Sequence, residues 1–178
     1  MAIQNVRLAT EVQPLTRRDF TVAQSLVDPN SSAPPLLDGE FLGITSAYEL
    51  AREGAANALN GGVSSGAASA ANHVSETPWY MVWMEQGRYD AQAISKTTVL
   101  WGAFEADFHS DVLRSGESFS LGDAVYVNWL ADTPTTTARR RGLTKVRNGS
   151  DGRPHGYVTR VYTSGTYAIR VVILSPGS

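Results

Sequence analysis

A chain of 178 residues has room for one domain with an extension, since domains usually run to about 100–150 residues. Hydrophobic residues make up 42% and charged residues only 18%, against about 25% charged in an average domain, so Ser, Thr, Asn, Gly or a partner must cover the body. A net charge of −2 excludes whole-chain attraction to nucleic acid or anionic membrane, and the absence of cysteine excludes disulfides, thiolate metal sites and cysteine nucleophiles.

Of the 15 cationic residues only Lys96 and Lys145 are lysine. Arginine is weakly hydrated, binds in a planar fork and is enriched at interfaces where lysine is depleted, although high-GC coding produces the same bias. Residues 1–20 carry Arg7, Glu11, Arg17, Arg18 and Asp19 without the apolar run of a signal peptide. No window nears the roughly 18 consecutive apolar residues that span a bilayer. The expectation is a soluble protein made in a cytoplasm, with no membrane partner.

Residues 1–35 place hydrophobes at irregular intervals and end in Pro34-Pro35, which can continue neither a helix nor a central strand. Such a stretch cannot make a core alone and reads as an extended arm and linker, packed along its own domain or along a neighbour. Residues 54–72 are rich in Gly, Ala, Ser and Asn and read as a flexible loop in preference to a short Ala-rich helix, because Gly and Asn interrupt any helix.

Strand signals sharpen from residue 79. Trp79, Tyr80, Met81, Val82, Trp83 and Met84 form an apolar run of strand length, with both faces suited to burial or to a subunit contact. A Thr- and Val-rich strand follows over 96–101. Residues 104–109 alternate strictly, which puts Phe104, Ala106 and Phe108 on one face. A strand over 124–130 starts from a Gly122-Asp123 turn, and the chain closes with a hairpin, 157–162 and 166–174, turning at Thr163-Ser164-Gly165. The expected fold class is mainly β: a small β-barrel or β-sandwich domain over 36–178 behind an extended N-terminal arm.

Glu105, Asp107 and His109 are the sharpest chemical candidates. At i, i+2 and i+4 they share one face of a strand, roughly 6.5–7 Å apart at each step, and carry ligand types suited to Mn, Fe or Zn. Three in-line ligands on one strand cannot all reach an ion at about 2 Å without bending the chain, so a solvent face is the preferred reading. His73, His109 and His155 have no triad or metal spacing, and His155 sits in a turn-forming run. Arg139, Arg140 and Arg141, followed by Lys145, Arg147 and Arg153, make a basic patch that is either a solvated loop or a docking surface. No aromatic residue interleaves with these arginines, which argues against a specific nucleic-acid role.

Several segments carry a family likeness: Leu37-Asp38-Gly39-Glu40-Phe41-Leu42, Gly87-Arg88-Tyr89-Asp90-Ala91-Gln92-Ala93-Ile94, Val99-Leu100-Trp101-Gly102-Ala103-Phe104-Glu105-Ala106-Asp107-Phe108 and Gly122-Asp123-Ala124-Val125-Tyr126-Val127. In order and character, across parts of residues 36–175, they resemble the head decoration (capsid cement) proteins of tailed bacteriophages. The resemblance implies a β-rich virion protein without enzymatic activity or cofactor. It implies a homotrimer that ties major capsid subunits together on the outside of the head. The arm matches that family by position, and the 54–72 insertion departs from it. On this reading the candidate partner-binding residues are Val6, Leu8, Val12, Leu15, Arg17, Arg18 and Phe20 on the arm, with Arg139, Arg140 and Arg141. The rivals are a metal-dependent β-barrel enzyme using Glu105, Asp107 and His109, and a phage tail or adaptor component.

Overall fold

The computed structural model describes residues 6–11, 16–21, 36–44, 50–51, 80–83, 96–130, 140–146 and 154–174. It is mainly β, as the sequence leads one to expect. Eleven strands are described: β1 Val6–Glu11, β2 Thr16–Thr21, β3 Phe41–Ile44, β4 Leu50–Ala51, β5 Tyr80–Val82, β6 Lys96–Trp101, β7 Phe104–Phe108, β8 Ala124–Trp129, β9 Arg141–Thr144, β10 Gly156–Val161 and β11 Ile169–Ile173. They form a six-stranded sheet ordered β1-β7-β11-β10-β8-β9, curled as a half-barrel, and a second sheet ordered β2-β6-β5-β3-β4. Among the described residues, every pairing between these strands is antiparallel.

The two sheets are joined at a shared corner. β6 pairs with β2 up to Trp101 opposite Thr16, and β7 pairs with β1 from Phe104 opposite Glu11. The chain therefore passes from sheet to sheet twice, side by side, as strands do at the corners of sandwiches. On the β6–β7 side the bend falls at Gly102, whose φ of 130° suits a residue without a Cβ. Phe41, Met81 and Leu100 from one sheet pack in a single core cluster with Phe104, Phe108 and Val171 from the other. Burying each such side chain contributes roughly 1.5–3 kcal/mol, so the core is the main source of stability.

The described N-terminal strands, β1 and β2, pair with β7 and β6 of the same chain. β1 is a strand of the six-stranded sheet, Val6 is 0% exposed, and Leu8 packs against the core cluster. Val6 is corrected accordingly from a partner-binding residue to a core residue, and Leu8 to a half-buried residue resting on that core. Asp38 Oδ2 accepts the Val6 N–H at 3.0 Å, and the turn at Gly39 (φ 82°) presses so closely that a Cβ there would lie 2.2 Å from Val6 Cγ2. The described part of residues 1–35 thus belongs to the same body as the described residues of 36–178.

Arg141 is corrected as well. It opens β9 opposite Trp129 and is only 1% exposed, so it is not a docking residue. Arg140 is half-buried beside it, its carbonyl accepting the Leu130 N–H at 3.0 Å. The outer edge of β9 is covered in part by the chain after a 3-10 turn at Ser110–Val112: Leu113 bridges Leu143, and Arg114 N–H donates to the Leu143 carbonyl at 3.0 Å. Val12, Leu15, Arg139 and the 54–72 loop lie outside the described residues. Arg17, Arg18 and Phe20 lie on β2, opposite Leu100, Val99 and Thr97.

Candidate functional site

Alternation along β7 sends Phe104, Ala106 and Phe108 into the core and leaves Glu105 and Asp107 on the opposite face of the sheet. Cross-strand register then decides what these carboxylates meet. Arg7 of β1 and Arg170 of β11 both stand directly opposite Asp107, and Arg160 of β10 stands opposite Arg170. One row across four strands therefore reads Arg7, Asp107, Arg170, Arg160.

The connection from β10 to β11 adds two tyrosines to this row. Tyr162 N–H donates to the Ala168 carbonyl, and Ala168 N–H donates to the Phe108 carbonyl, each at 2.9 Å, which holds the turn against the end of β7. Tyr162 Oη then donates to Asp107 Oδ1 at 2.6 Å, while Arg170 Nε donates to the same oxygen at 2.7 Å. Asp107 Oδ2 accepts from Arg7 Nε at 2.9 Å, from Arg7 Nη2, and from Arg170 Nη2 at 3.2 Å. The Arg7 guanidinium also lies over the Tyr167 ring, and that of Arg160 over the Tyr162 ring, each 4.9 Å from the centroid.

The carboxyl of Asp107 is 0% exposed although it stands on the outer face, because arginine and tyrosine side chains roof it over. Burial pushes its pKa up; the hydrogen bonds from Arg170, Tyr162 and Arg7 outweigh that and hold it down at about 2. In return the hydrogen bond to Asp107 raises both arginines above their ordinary value. Burial also raises Tyr167, with the Arg7 charge opposing it. Asp107 is permanently ionised at neutral pH and saturated by donors, so it can neither take up a proton nor offer a lone pair to an ion.

This arrangement overturns the metal triad of Glu105, Asp107 and His109. Glu105 and Asp107 do share a face, but Glu105 Oε1 accepts from Thr159 Oγ1 at 2.6 Å. His109 lies beyond the end of β7, where its Nδ1 accepts the Asp111 N–H at 3.2 Å and caps the 3-10 turn. Each of the three is committed to a different partner. Among the described residues, no group of three or more His, Asp or Glu is placed to hold a metal ion.

His155, read from sequence as part of a turn, is a half-buried tie between strands. Its N–H donates to the Val125 carbonyl at 2.8 Å, its carbonyl accepts the Leu174 N–H at 2.8 Å, and its Nδ1 accepts the Val127 N–H at 3.2 Å. Burial first, and the Arg141 charge second, push its pKa down to about 4, so the ring is neutral at physiological pH.

The arginines that come together, Arg7, Arg160 and Arg170, are not those of the basic run at 139–141. The signal that could have found them is parity. Each occupies an outward position of its strand, and Asp107 is the outward acid between them, but only the register reveals the row. Among the described residues no helix is long and apolar enough to cross a membrane. No family model matches the chain, and neither a curated protein nor a solved structure matches it.

Proposed function

We propose that this chain is a non-enzymatic structural protein that works by adhering to other protein surfaces, and that its setting is the outside of a phage head. There it would act as a homotrimeric decoration protein, linking neighbouring major capsid subunits. The observation that carries the reading is the outward face of the six-stranded sheet. It presents pre-ordered arginines and tyrosines, the residue types enriched in protein interfaces, over a carboxylate with no capacity left for chemistry. Rigid side chains lose little entropy on binding, and weak contacts repeated over a lattice add up through multivalency. The specific capsid role rests on the segment resemblance described above, over 37–42, 87–94, 99–108 and 122–127.

Purified virions of the source phage test this reading. Quantitative mass spectrometry and image reconstruction should find the chain in tens to hundreds of copies on the outer head surface. A handful of copies at the tail or portal, or none, would contradict it.

A further inference from the structure

Arg160 and Arg170 face each other directly across β10 and β11 on the exposed side of the sheet. Like charges in that position destabilise a strand pair. Asp107 relieves Arg170 from the far side, but among the described residues Arg160 forms no ion pair and rests on the Tyr162 ring. Each guanidinium has five N–H donors, and Asp107 takes two from Arg7 and two from Arg170. The remaining donors of both are left for the outside, with the Arg7 side chain 55% exposed and that of Arg170 26% exposed. Asp107 beneath them and Glu105, hydrogen-bonded to Thr159, offset part of that charge, which leaves the row with one net positive charge and with outward donors that all belong to the arginines.

We infer that this face docks an acidic segment of a partner protein, its carboxylates received by Arg160 together with the outward donors of Arg170 and Arg7. The inference rests on the adhesive reading above and supplies the chemistry of its partner. A carboxylate between Arg160 and Arg170 would relieve the like-charge contact that folding leaves in place. Fork-shaped donors on a carboxylate give strong, oriented bonds. Four strands span roughly 14 Å, enough for carboxylates on alternate residues of an extended segment. The flanking Tyr162 and Tyr167 suit a protein surface, and the chain's net charge of −2 disfavours a long polyanion such as nucleic acid.

The test uses the full chain with a fluorescent oligo-glutamate peptide and, separately, inorganic tripolyphosphate. Arg160 stands outside the Asp107 hydrogen-bond cluster, so Arg160→Glu should fold and melt at or above the wild-type temperature, its carboxylate relieving the like-charge contact with Arg170. Expected is measurable peptide binding at low salt, weakened at least fivefold by Arg160→Glu and much less by Arg160→Lys. No peptide binding by the wild-type chain, equal binding by Arg160→Glu, or tighter binding of tripolyphosphate than of peptide would overturn the inference. On particles the two readings separate. Full occupancy by Arg160→Glu defeats the acidic partner and leaves adhesion standing, whereas absence of the wild-type chain from particles defeats adhesion itself.

Discussion

Arg7 and Asp107, one hundred residues apart in sequence, stand directly opposite each other across β1 and β7, and the arginine holds Asp107 Oδ2 through both Nε and Nη2. The pair ties the N-terminal strand to the middle of the six-stranded sheet. It also pre-orders an arginine that remains half in solvent.

Replacing Asp107 with Asn removes the one charge beneath two guanidiniums and keeps the shape. Breaking a buried ion pair by deleting one partner typically costs 3–5 kcal/mol, and the exposure of Arg7 places this case at the lower end, about 3 kcal/mol. Arg7→Ala should cost only about 1 kcal/mol, because that side chain is 55% exposed. In the Asp107→Asn background, Arg7→Ala should cost almost nothing further. Urea unfolding midpoints of the two single variants and the double variant measure all three.

Two groups give the stability a definite dependence on pH. The native pKa of His155, at about 4, lies below its ordinary 6.5, so the unfolded chain takes up the proton first. Stability should fall as pH drops from 6.5 towards 4, by at most about 3 kcal/mol, and level off below. Asp107, held at about 2, contributes stability that is present above pH 3.8 and lost as pH falls through 2. Unfolding titrations between pH 7 and 3 should show the His155 slope in the wild-type chain and not in His155→Asn, whose amide oxygen can still accept the Val127 N–H. Equal slopes in the two proteins would refute the His155 assignment.

Removing residues 1–21 takes away β1 and β2 together. That strips the β7 edge of its ladder and uncovers the core at Phe108 and Ala106, which face Val6 and Leu8 in register. The truncated chain should lose its cooperative melting transition. A truncated chain with a wild-type near-ultraviolet spectrum would show that the N-terminal segment is dispensable for folding.

Gly39→Ala should cost about 2–3 kcal/mol, since the new Cβ would meet Val6 Cγ2 at 2.2 Å and the φ of 82° strains any residue with a side chain. Differential scanning calorimetry measures it directly.

The strands that were legible in the sequence are those whose pattern is local. Aromatic and β-branched runs mark β5, β6 and β8, strict alternation marks β7, and the hairpin signal marks β10 and β11. The N-terminal strands were harder to see. A register shift between Leu8 and Thr10 breaks the two-residue period that would identify β1. β9 was hidden because Arg141-Gly142 reads as the end of a basic loop, whereas Arg141 is buried. The candidate site was half legible. Spacing alone puts Glu105 and Asp107 on one face, but the donors that saturate Asp107 come from strands sixty to a hundred residues away. Neither composition nor periodicity encodes that register.

Hydrogen exchange on particle-bound and free protein tests the adhesive face most directly. Binding should slow exchange over residues 157–170, where Arg160, Tyr162, Tyr167 and Arg170 lie, by tenfold or more. Unchanged exchange there, with new protection confined to other segments, would place the contact elsewhere on the molecule.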